Sequence, residues 1–290
     1  MTIIQVSAKE LLSWLKDTDS KRAHKYDLYL LLDLLGGISK QDLNLLKIDS
    51  TKNVFLKENL EKLDFYWNEF INKKTPIQYL CGKTYWRDLK LKVSNDVLIP
   101  RKETEQIVDI VMDLCDVQKN ILFADLGTGS GAIAISIAEL NQNWSGLATD
   151  VNIKALNIAR ENFQNLCTNK KLKFYCGDWW KPLENYAGKI DVAISNPPYI
   201  PLKVYEELNP IVKKYEPEIA LNGGKDGLDH LNTVIKYAPN FLKKGGWLIL
   251  ENHFDQSNEV ASLLIKNGFE SVKIINDYSG IGRFTIAKYK

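Results

Sequence analysis

The first 74 residues carry apolar side chains at the spacing of amphipathic helices. Residues three and four positions apart lie on one face of a helix, so each run can bury one face. Turn-forming residues interrupt the pattern at Gly36 and Gly37 and again near Asp49 and Ser50. The apolar runs cover residues 11–15, 28–35, 43–46 and 56–70. This pattern predicts a small helical bundle over residues 1–74.

Between residues 75 and 101 the pattern changes to short runs typical of β-strands. Apolar and polar side chains alternate over residues 89–93, and a last short run stops at Pro100. We interpret residues 75–101 as a β-hairpin linker.

Residues 102–290 alternate between strand-like and helix-like runs, which is typical of a doubly wound, mostly parallel sheet. Strands are predicted over residues 120–126, 146–150, 171–176, 190–195 and 247–251. Helices are predicted over residues 105–115, 132–140, 153–166, 231–241 and 256–266. The last two strand-like runs, residues 271–276 and 283–289, have no helix between them. We expect them to pair antiparallel as a closing hairpin.

Composition and charge narrow the function classes. The chain has 290 residues, of which 45% are hydrophobic and 26% charged, so a disordered protein is excluded and about two domains are expected. Lys and Arg number 38 against 36 Asp and Glu, a net charge of +2, which is too balanced for binding to polyanions by bulk charge. Residues 1–74 contain 12 basic and 11 acidic residues, so the bundle has no basic stripe. We expect no stable nucleic-acid partner and a bundle that faces a protein.

The N-terminal residues contain no uninterrupted apolar run, so we expect neither a signal peptide nor a transmembrane span. We therefore expect a cytoplasmic protein without a membrane partner, acting as a monomer. No C-x-x-C pair occurs, so neither a disulfide framework nor a metal site is indicated. We interpret the cysteines as small buried hydrophobic residues: Cys81, Cys115, Cys167 and Cys176.

A glycine-rich loop follows the first strand of the alternating region. An acidic residue and the loop after it comprise Asp125, Leu126, Gly127, Thr128, Gly129, Ser130 and Gly131. The third glycine follows the second by two residues instead of three, which disfavours the pyrophosphate cradle of a dinucleotide. Asp125 would repel phosphates but suits a ligand with a cationic amino group and a sulfonium, which describes S-adenosyl-L-methionine. The alternative is a purely structural strand-to-helix turn.

Acidic residues also end the next two strands. Asp150 stands where a carboxylate usually accepts hydrogen bonds from both ribose hydroxyls. After the third strand, Asp178 could accept from an adenine amino group and Trp179 could lie against the purine. Both positions favour the same cofactor.

The fourth strand ends in Asn196, Pro197, Pro198 and Tyr199. The prolines remove two backbone donors, which leaves the Asn196 side-chain oxygen and the Pro197 carbonyl to accept hydrogen bonds. Such a site can hold a planar N–H₂ group by its two protons, so that its lone pair faces the methyl group of S-adenosyl-L-methionine. Tyr199 would flank the planar acceptor. We predict that these four residues bind substrate and catalyse methyl transfer.

Longer motifs resemble the HemK/PrmC family, the peptide chain release factor N5-glutamine methyltransferases. The four-residue motif alone is shared with adenine-N6 and guanine-N2 methyltransferases. The more specific segments are similar to the family's linker signatures, its loop after the catalytic motif and its C-terminal segment. They are residues 76–82 and 97–105, residues 215–221 with 223–227, and residues 277–280 with Arg283. The resemblance covers nearly the whole chain.

The resemblance implies a class I S-adenosylmethionine-dependent methyltransferase. Its Rossmann-like, mostly parallel seven-stranded sheet would end in an antiparallel C-terminal hairpin, and the small N-terminal helical bundle would help dock the substrate. The implied acceptor is the side-chain amide N5 of the glutamine in the Gly-Gly-Gln loop of class 1 peptide chain release factors. Residues 127–131, Asp150, Trp179 and Asn196 match the family's cofactor contacts, and residues 196–199 match its glutamine-binding motif.

Two positions depart from the family pattern. Lys102 stands where a proline usually follows the arginine, which should only loosen a turn. His253 stands where a glycine usually follows the fifth strand, and it places a bulky side chain near the substrate edge of the sheet.

Two alternatives come from other classes. An adenine-N6 or guanine-N2 methyltransferase acting on DNA or RNA should carry a basic track and a base-flipping module, and the balanced bundle offers neither. A non-enzymatic binder built on the same fold should show damage in the glycine loop or in the motif at residues 196–199, and both are intact.

Overall fold

The computed structural model describes residues 3–18, 24–167 and 171–290. The chain divides into two compact units between Thr84 and Tyr85. The predicted bundle includes residues 1–2 and 19–23, which lie outside the described residues.

Helices dominate the N-terminal unit, as the pattern predicts, but two short strands accompany them. Its elements are β1 (Ile4–Ser7), α1 (Ala8–Thr18), α2 (Lys25–Leu31) with a π-helical turn (Leu32–Gly36), α3 (Lys40–Ile48), β2 (Asn53–Leu56), α4 (Leu60–Lys73) and α5 (Ile77–Cys81). Strands β1 and β2 pair antiparallel, with Val6 opposite Val54. Leu56, assigned to a helix from its spacing, ends β2 instead. The apolar residues of β1 and β2 adjoin helical runs, so their alternation was not distinguished from the helical spacing.

The core of the N-terminal unit consists mainly of leucines from its helices and strands. Leu11, Leu31, Leu43, Leu56 and Leu63 are fully buried. Together they represent all four runs of the apolar pattern, so the predicted helical faces do meet in one core.

The C-terminal unit contains the alternating elements. Strand β3 (Lys83–Trp86) crosses the division and pairs with β4 (Leu89–Lys92). The remaining helices are α6 (Gln106–Leu114), α7 (Ala132–Leu140), α8 (Ile153–Leu166), α9 (Leu202–Glu207), α10 (Pro210–Tyr215), α11 (Asp229–Phe241) and α12 (Ser257–Lys266). The remaining strands are β5 (Leu122–Leu126), β6 (Ser145–Asp150), β7 (Leu172–Cys176), β8 (Ile190–Ser195), β9 (Leu242–Glu251), β10 (Phe269–Asn276) and β11 (Gly282–Tyr289).

The predicted sheet is confirmed. Seven strands lie in the order β10-β11-β9-β8-β5-β6-β7. Strands β5 to β9 pair in parallel, and β11 pairs antiparallel with both β9 and β10. Helices α9 and α10 were not predicted, and β9 begins five residues before the predicted start because residues 243–246 are two lysines and two glycines without alternation.

Side-chain alternation along the strands builds two apolar layers. In β8, Val192 and Ile194 face one layer with helices α6 and α7, whereas Ala193 faces the other with α11 and α12. Helices cover both faces of the sheet. The edge formed by the carboxyl ends of the parallel strands stays open. Ligands of such sheets bind at this edge.

The described residues include no helix that is long and apolar enough to cross a membrane. In the same part of the chain, no group of three or more His, Cys, Asp or Glu side chains is arranged to hold a metal ion. Cys167 is buried, while Cys81 and Cys115 are half-buried. The interpretation as a buried hydrophobic residue is wrong for Cys176, which is exposed because it ends β7 at the open edge.

Candidate functional site

A cavity of about 280 Å³ lies at the carboxyl ends of the parallel strands. The loops after β5, β6, β7 and β8 meet there, because parallel strands end at the same edge. Nine of the predicted site residues line it: Gly127, Thr128, Gly129, Ser130, Asp150, Asp178, Trp179, Asn196 and Pro198. Four others, Asp125, Gly131, Pro197 and Tyr199, are not among its lining residues.

Asp150 ties the glycine loop to the end of β6. Its Oδ2 accepts a hydrogen bond from the Gly129 N–H at 2.8 Å, and its Oδ1 accepts one from the Asn152 N–H at 2.8 Å. Burial raises the pKa of Asp150, and the two N–H donors oppose that rise. Each carboxylate oxygen has a second lone pair, so Asp150 can still accept two hydroxyl hydrogens from the cavity.

The glycine loop leaves room for a ligand beside its backbone. The N–H groups of Gly127 and Thr128 both donate to the Thr149 carbonyl, at 2.9 and 2.8 Å, which holds the loop against β6. Gly129 has φ +55°, and no atom lies within 4 Å of the position that a Cβ would take. That free space faces the cavity, whereas Gly131 lies outside it, against Ala159 of α8.

Asp125 lies beneath the loop. It is 1% exposed, and its Oδ2 accepts a hydrogen bond from the Thr128 hydroxyl at 2.6 Å. Burial raises the pKa of Asp125 from its ordinary value of 3.8 to about 7, although Thr128 opposes the shift. Asp125 therefore supports the glycine loop through its hydrogen bond with Thr128. Its contact with a cationic ligand stays a prediction.

The raised pKa makes Asp125 a source of pH-dependent stability. A carboxyl group whose pKa is higher in the folded state stabilises the fold when protonated, and that contribution is lost as the pH rises from about 4 to about 7. We expect the free energy of unfolding of the wild type to fall by about 3 kcal/mol relative to Asp125→Asn between pH 5 and pH 8. Urea unfolding of both proteins across this range measures the difference.

An exposed aspartate provides the control for this pH profile. Asp116 accepts a hydrogen bond from the Gln118 N–H at a surface turn. Asp116→Asn should show the wild-type dependence on pH. Parallel profiles for the wild type and Asp125→Asn would contradict the assignment of the buried carboxyl group.

Trp179 and Asp178 form the wall beyond β7. Trp179 has φ +48°, a left-handed value that is uncommon for a large side chain, and its ring centroid lies 5.6 Å from that of His230. Asp178 pairs with Lys181 at 2.8 Å, but this surface pair contributes little to stability. The positions of Trp179 and Asp178 in the cavity lining agree with a planar ligand group that lies against the Trp179 ring.

The motif at residues 196–199 is held from two sides. The Asn196 Nδ2 donates to the Thr104 Oγ1 at 3.2 Å, which leaves its Oδ1 to accept a hydrogen bond. The Tyr199 hydroxyl donates to the Glu251 Oε1 at 2.9 Å. The Tyr199 carbonyl accepts from the Gln256 Nε2 at 3.0 Å. Asn196 and Tyr199 are thus fixed by residues outside the motif.

Gly227 allows the chain to pass close to Tyr199. It has φ +74°, and a Cβ there would overlap the Tyr199 carbonyl oxygen and the Gln256 Nε2. We expect Gly227→Ala to displace Tyr199 and to lower turnover about tenfold or more, since small misplacements of reacting groups have effects of this size. Steady-state kinetics measures the loss.

Gly268 is the matched control for the backbone effect. It has φ +86°, but no atom lies within 4 Å of its would-be Cβ. Gly268→Ala should therefore lower the melting temperature by a few degrees, through the left-handed backbone alone, and leave turnover unchanged. Equal activity losses in the two variants would show that backbone strain, and not displacement of Tyr199, is responsible.

Several residues of the site were missed in the sequence. Arg101 Nη2 contacts both carboxylate oxygens of Glu216, at 2.8 and 2.7 Å, and joins two loops that line the cavity. Glu251 is 1% exposed and Thr104 is 5% exposed. A charge ending the apolar run of β9 was a usable signal for Glu251. Thr104 lies in the family-like segment at residues 97–105, but nothing in that segment shows its contact with a residue 92 positions away.

Comparisons with known proteins agree with this geometry. A family model described as the methyltransferase small domain matches residues 106–212. The release factor glutamine methyltransferase of Prochlorococcus marinus is 42% identical over 283 residues, which cover 97% of each chain. The chain belongs to the release factor glutamine methyltransferase family. The resemblance drawn from the sequence motifs is confirmed.

Other relatives support the same assignment. The release factor glutamine methyltransferase of Synechocystis is 38% identical over 291 residues, covering 98% of this chain and 97% of that protein. A methyltransferase structure from Pyrococcus furiosus matches with a TM-score of 0.51 at 21% identity, covering 79% of this chain and 98% of that one, which confirms the fold.

The two departures from the pattern of the release factor glutamine methyltransferases have different surroundings. Lys102 is exposed with φ −65°, the angle that proline also adopts, so the chain path is unchanged. His253 bonds to Asp255 through Nδ1 at 2.6 Å, and its ring centroid lies 6.3 Å from that of Tyr199. Only His253 therefore alters the side chains around the motif.

Proposed function

We propose that this protein transfers a methyl group from S-adenosyl-L-methionine to a glutamine side-chain amide of class 1 peptide chain release factors. The acceptor is N5 of the glutamine in the Gly-Gly-Gln loop, and the modification supports translation termination. The observation that carries the proposal is the orientation of Asn196. Its Nδ2 is engaged by Thr104 at the cavity wall, so its Oδ1 is left for an N–H donor such as a carboxamide.

The lining of the cavity fits S-adenosyl-L-methionine. Asp150 has unused lone pairs for two ribose hydroxyls, and Trp179 offers an aromatic face for the adenine. The open space at Gly129 gives the methionine portion access to backbone groups. Asp178 is assigned to the adenine amino group, and residues 127–131 are assigned to the cofactor loop.

The protein's part in the reaction is to orient the acceptor. When bound, S-adenosyl-L-methionine supplies a methyl group on a positively charged sulfur, so no strong general base is needed. The Asn196 Oδ1 and the Pro197 carbonyl accept the two amide hydrogens, which fixes the direction of the nitrogen lone pair. Pro198 stiffens the chain and Tyr199 flanks the planar amide. These contacts select a group with two N–H donors.

A labelling experiment tests the proposed reaction. Purified protein is mixed with methyl-labelled S-adenosyl-L-methionine and a release factor, and the label is located by peptide mass spectrometry. A second factor carries a replacement of the loop glutamine. We expect label on the loop glutamine of the first factor and none on the second. Label on added DNA or RNA, with none on either factor, would overturn the proposal in favour of a nucleic-acid methyltransferase.

We propose further that residues 1–74 form a domain that docks the release factor and that residues 102–290 form the domain that carries out the transfer. Residues 75–101 form the linker between these two domains. We also propose that the protein acts as a cytoplasmic monomer without a nucleic-acid partner. Light scattering after size exclusion should give 33.1 kDa for a monomer. A mass of twice that value would contradict it.

A further inference from the structure

Glu251 is a buried carboxylate next to the motif at residues 196–199, and the acceptor contacts proposed above do not involve it. Glu251 ends β9 and is 1% exposed, and its Oε1 accepts the Tyr199 hydroxyl at 2.9 Å. No described residue forms a hydrogen bond with its buried Oε2. A buried carboxylate with one unsatisfied oxygen destabilises a fold, and such groups cluster at functional sites.

Arg283 does not neutralise this carboxylate by direct contact. Its Nε bonds instead to the Asp277 Oδ2 at 2.7 Å. Burial raises the pKa of Glu251, while Thr104, Tyr199 and the more distant charge of Arg283 act in the opposite direction. The groups beside Glu251 therefore include Tyr199, which belongs to the motif at residues 196–199, and Thr104, which bonds to Asn196.

Thr104 is the connection between Glu251 and Asn196. Its hydroxyl oxygen accepts the Asn196 Nδ2–H at 3.2 Å, so its own hydrogen is free to point elsewhere. The Thr104 hydroxyl lowers the pKa of the Glu251 carboxyl, as a nearby donor does. The Glu251 Oε2, which has no hydrogen-bond partner, is the acceptor available to the Thr104 hydroxyl.

Resting on the proposed function, we propose that Thr104 and Glu251 are positioning residues that set the hydrogen-bond polarity of the acceptor site. The Glu251 Oε1 accepts from Tyr199, and its free Oε2 is the acceptor toward which the neighbouring Thr104 hydroxyl turns its hydrogen. Thr104 can then only accept from Asn196, which turns the Asn196 oxygen toward the substrate. Glu251 thereby determines that the site receives a group with N–H donors, and it fixes the Tyr199 ring at the same time.

Glu251→Gln separates this positioning role from a structural one. The glutamine oxygen can still accept from Tyr199, but its N–H₂ group replaces Oε2 and donates to Thr104, in competition with Asn196. Removing a buried charge should leave the melting temperature equal or higher. We expect kcat to fall about tenfold or more while the Kd for S-adenosyl-L-methionine stays within threefold of the wild type. A lower melting temperature with unchanged kcat would overturn the proposal.

Thr104 is tested with a conservative pair. Thr104→Val keeps the shape and removes the hydroxyl, so kcat should fall about tenfold or more, whereas Thr104→Ser should return it to within threefold of the wild type. Thr285→Val is the matched control, because the buried Thr285 hydroxyl also bonds to an asparagine, Asn252, at 2.8 Å. It should lower stability and leave kcat unchanged. Equal kcat values for Thr104→Val and the wild type would contradict the role.

A measurement without substrate distinguishes this inference from the proposed function. Nuclear magnetic resonance of the free protein reports the mobility of the Asn196 side-chain amide, whose signal is assigned by its loss in Asn196→Ala. We expect a rigid amide in the wild type and in Thr104→Ser, and a mobile one in Thr104→Val and Glu251→Gln. An amide equally rigid in all four proteins would overturn the inference. Failure of the wild type to label a release factor would overturn only the proposed function.

Discussion

Replacing Asn196 by alanine should lower kcat by about 100- to 1,000-fold, which is the usual cost of removing one group that orients or stabilises the reacting centre. Asn196 lines the cavity, and its Nδ2 is already bound by Thr104. The variant therefore loses the oxygen that accepts from the substrate amide. Because Asp150 and the glycine loop are untouched, the Kd for S-adenosyl-L-methionine should change less than threefold. Single-turnover kinetics and calorimetry measure the two quantities.

Asn141 supplies a matched control for this variant. Asn141 is buried, whereas Asn196 is half-buried, and the Asn141 Nδ2 donates to the Val117 carbonyl at 2.9 Å, away from the cavity lining. Asn141→Ala should lower the melting temperature but not kcat. Wild-type turnover in Asn196→Ala would remove Asn196 from the mechanism, and a parallel loss of cofactor binding would show that the cofactor contact implied by the resemblance is its main role.

Replacing Asp150 by alanine should weaken the binding of S-adenosyl-L-methionine about 100-fold or more. Two hydrogen bonds from ribose hydroxyls to a charged acceptor contribute about 1.5–3 kcal/mol each. The change also releases the Gly129 N–H, which Asp150 now holds at 2.8 Å, so the glycine loop loses an anchor. Calorimetric titration gives the Kd directly, and the effect on kcat at saturating cofactor should be much smaller.

The control for Asp150 is an aspartate that accepts the same local hydrogen bond but does not line the cavity. Asp116 accepts from the N–H two residues later, at 3.0 Å, as Asp150 does at 2.8 Å. Asp116→Ala should bind the cofactor like the wild type. A wild-type Kd for Asp150→Ala would contradict the assignment of Asp150 to the ribose, and a loss of kcat alone would place it with the acceptor.

The alternation of strand-like and helix-like runs was enough to predict the sheet, because each buried strand leaves an apolar run and each covering helix leaves an amphipathic one. Strands β1 and β2 were missed, although β4 of the same length was predicted, because their apolar residues adjoin helical runs and were counted with them. Helices α9 and α10 were missed because each has only six residues, which is fewer than two helical turns. Short length and adjoining runs, more than composition, limited what the pattern could predict.

The residues of the candidate site also fall into two groups, those that the sequence predicts and those that only the structure shows. The sequence by itself determined the residues that end parallel strands, such as Asp150 and Asn196, because the carboxyl end of a parallel strand lies at the binding edge wherever the strand sits in the sheet. Only the tertiary structure decided which residues hold them. Thr104 reaches Asn196 across 92 positions and Glu251 reaches Tyr199 across 52, and contacts at such separations leave no local pattern. The tertiary structure also placed Asp125 beneath the loop, because the direction of a side chain depends on what packs around it.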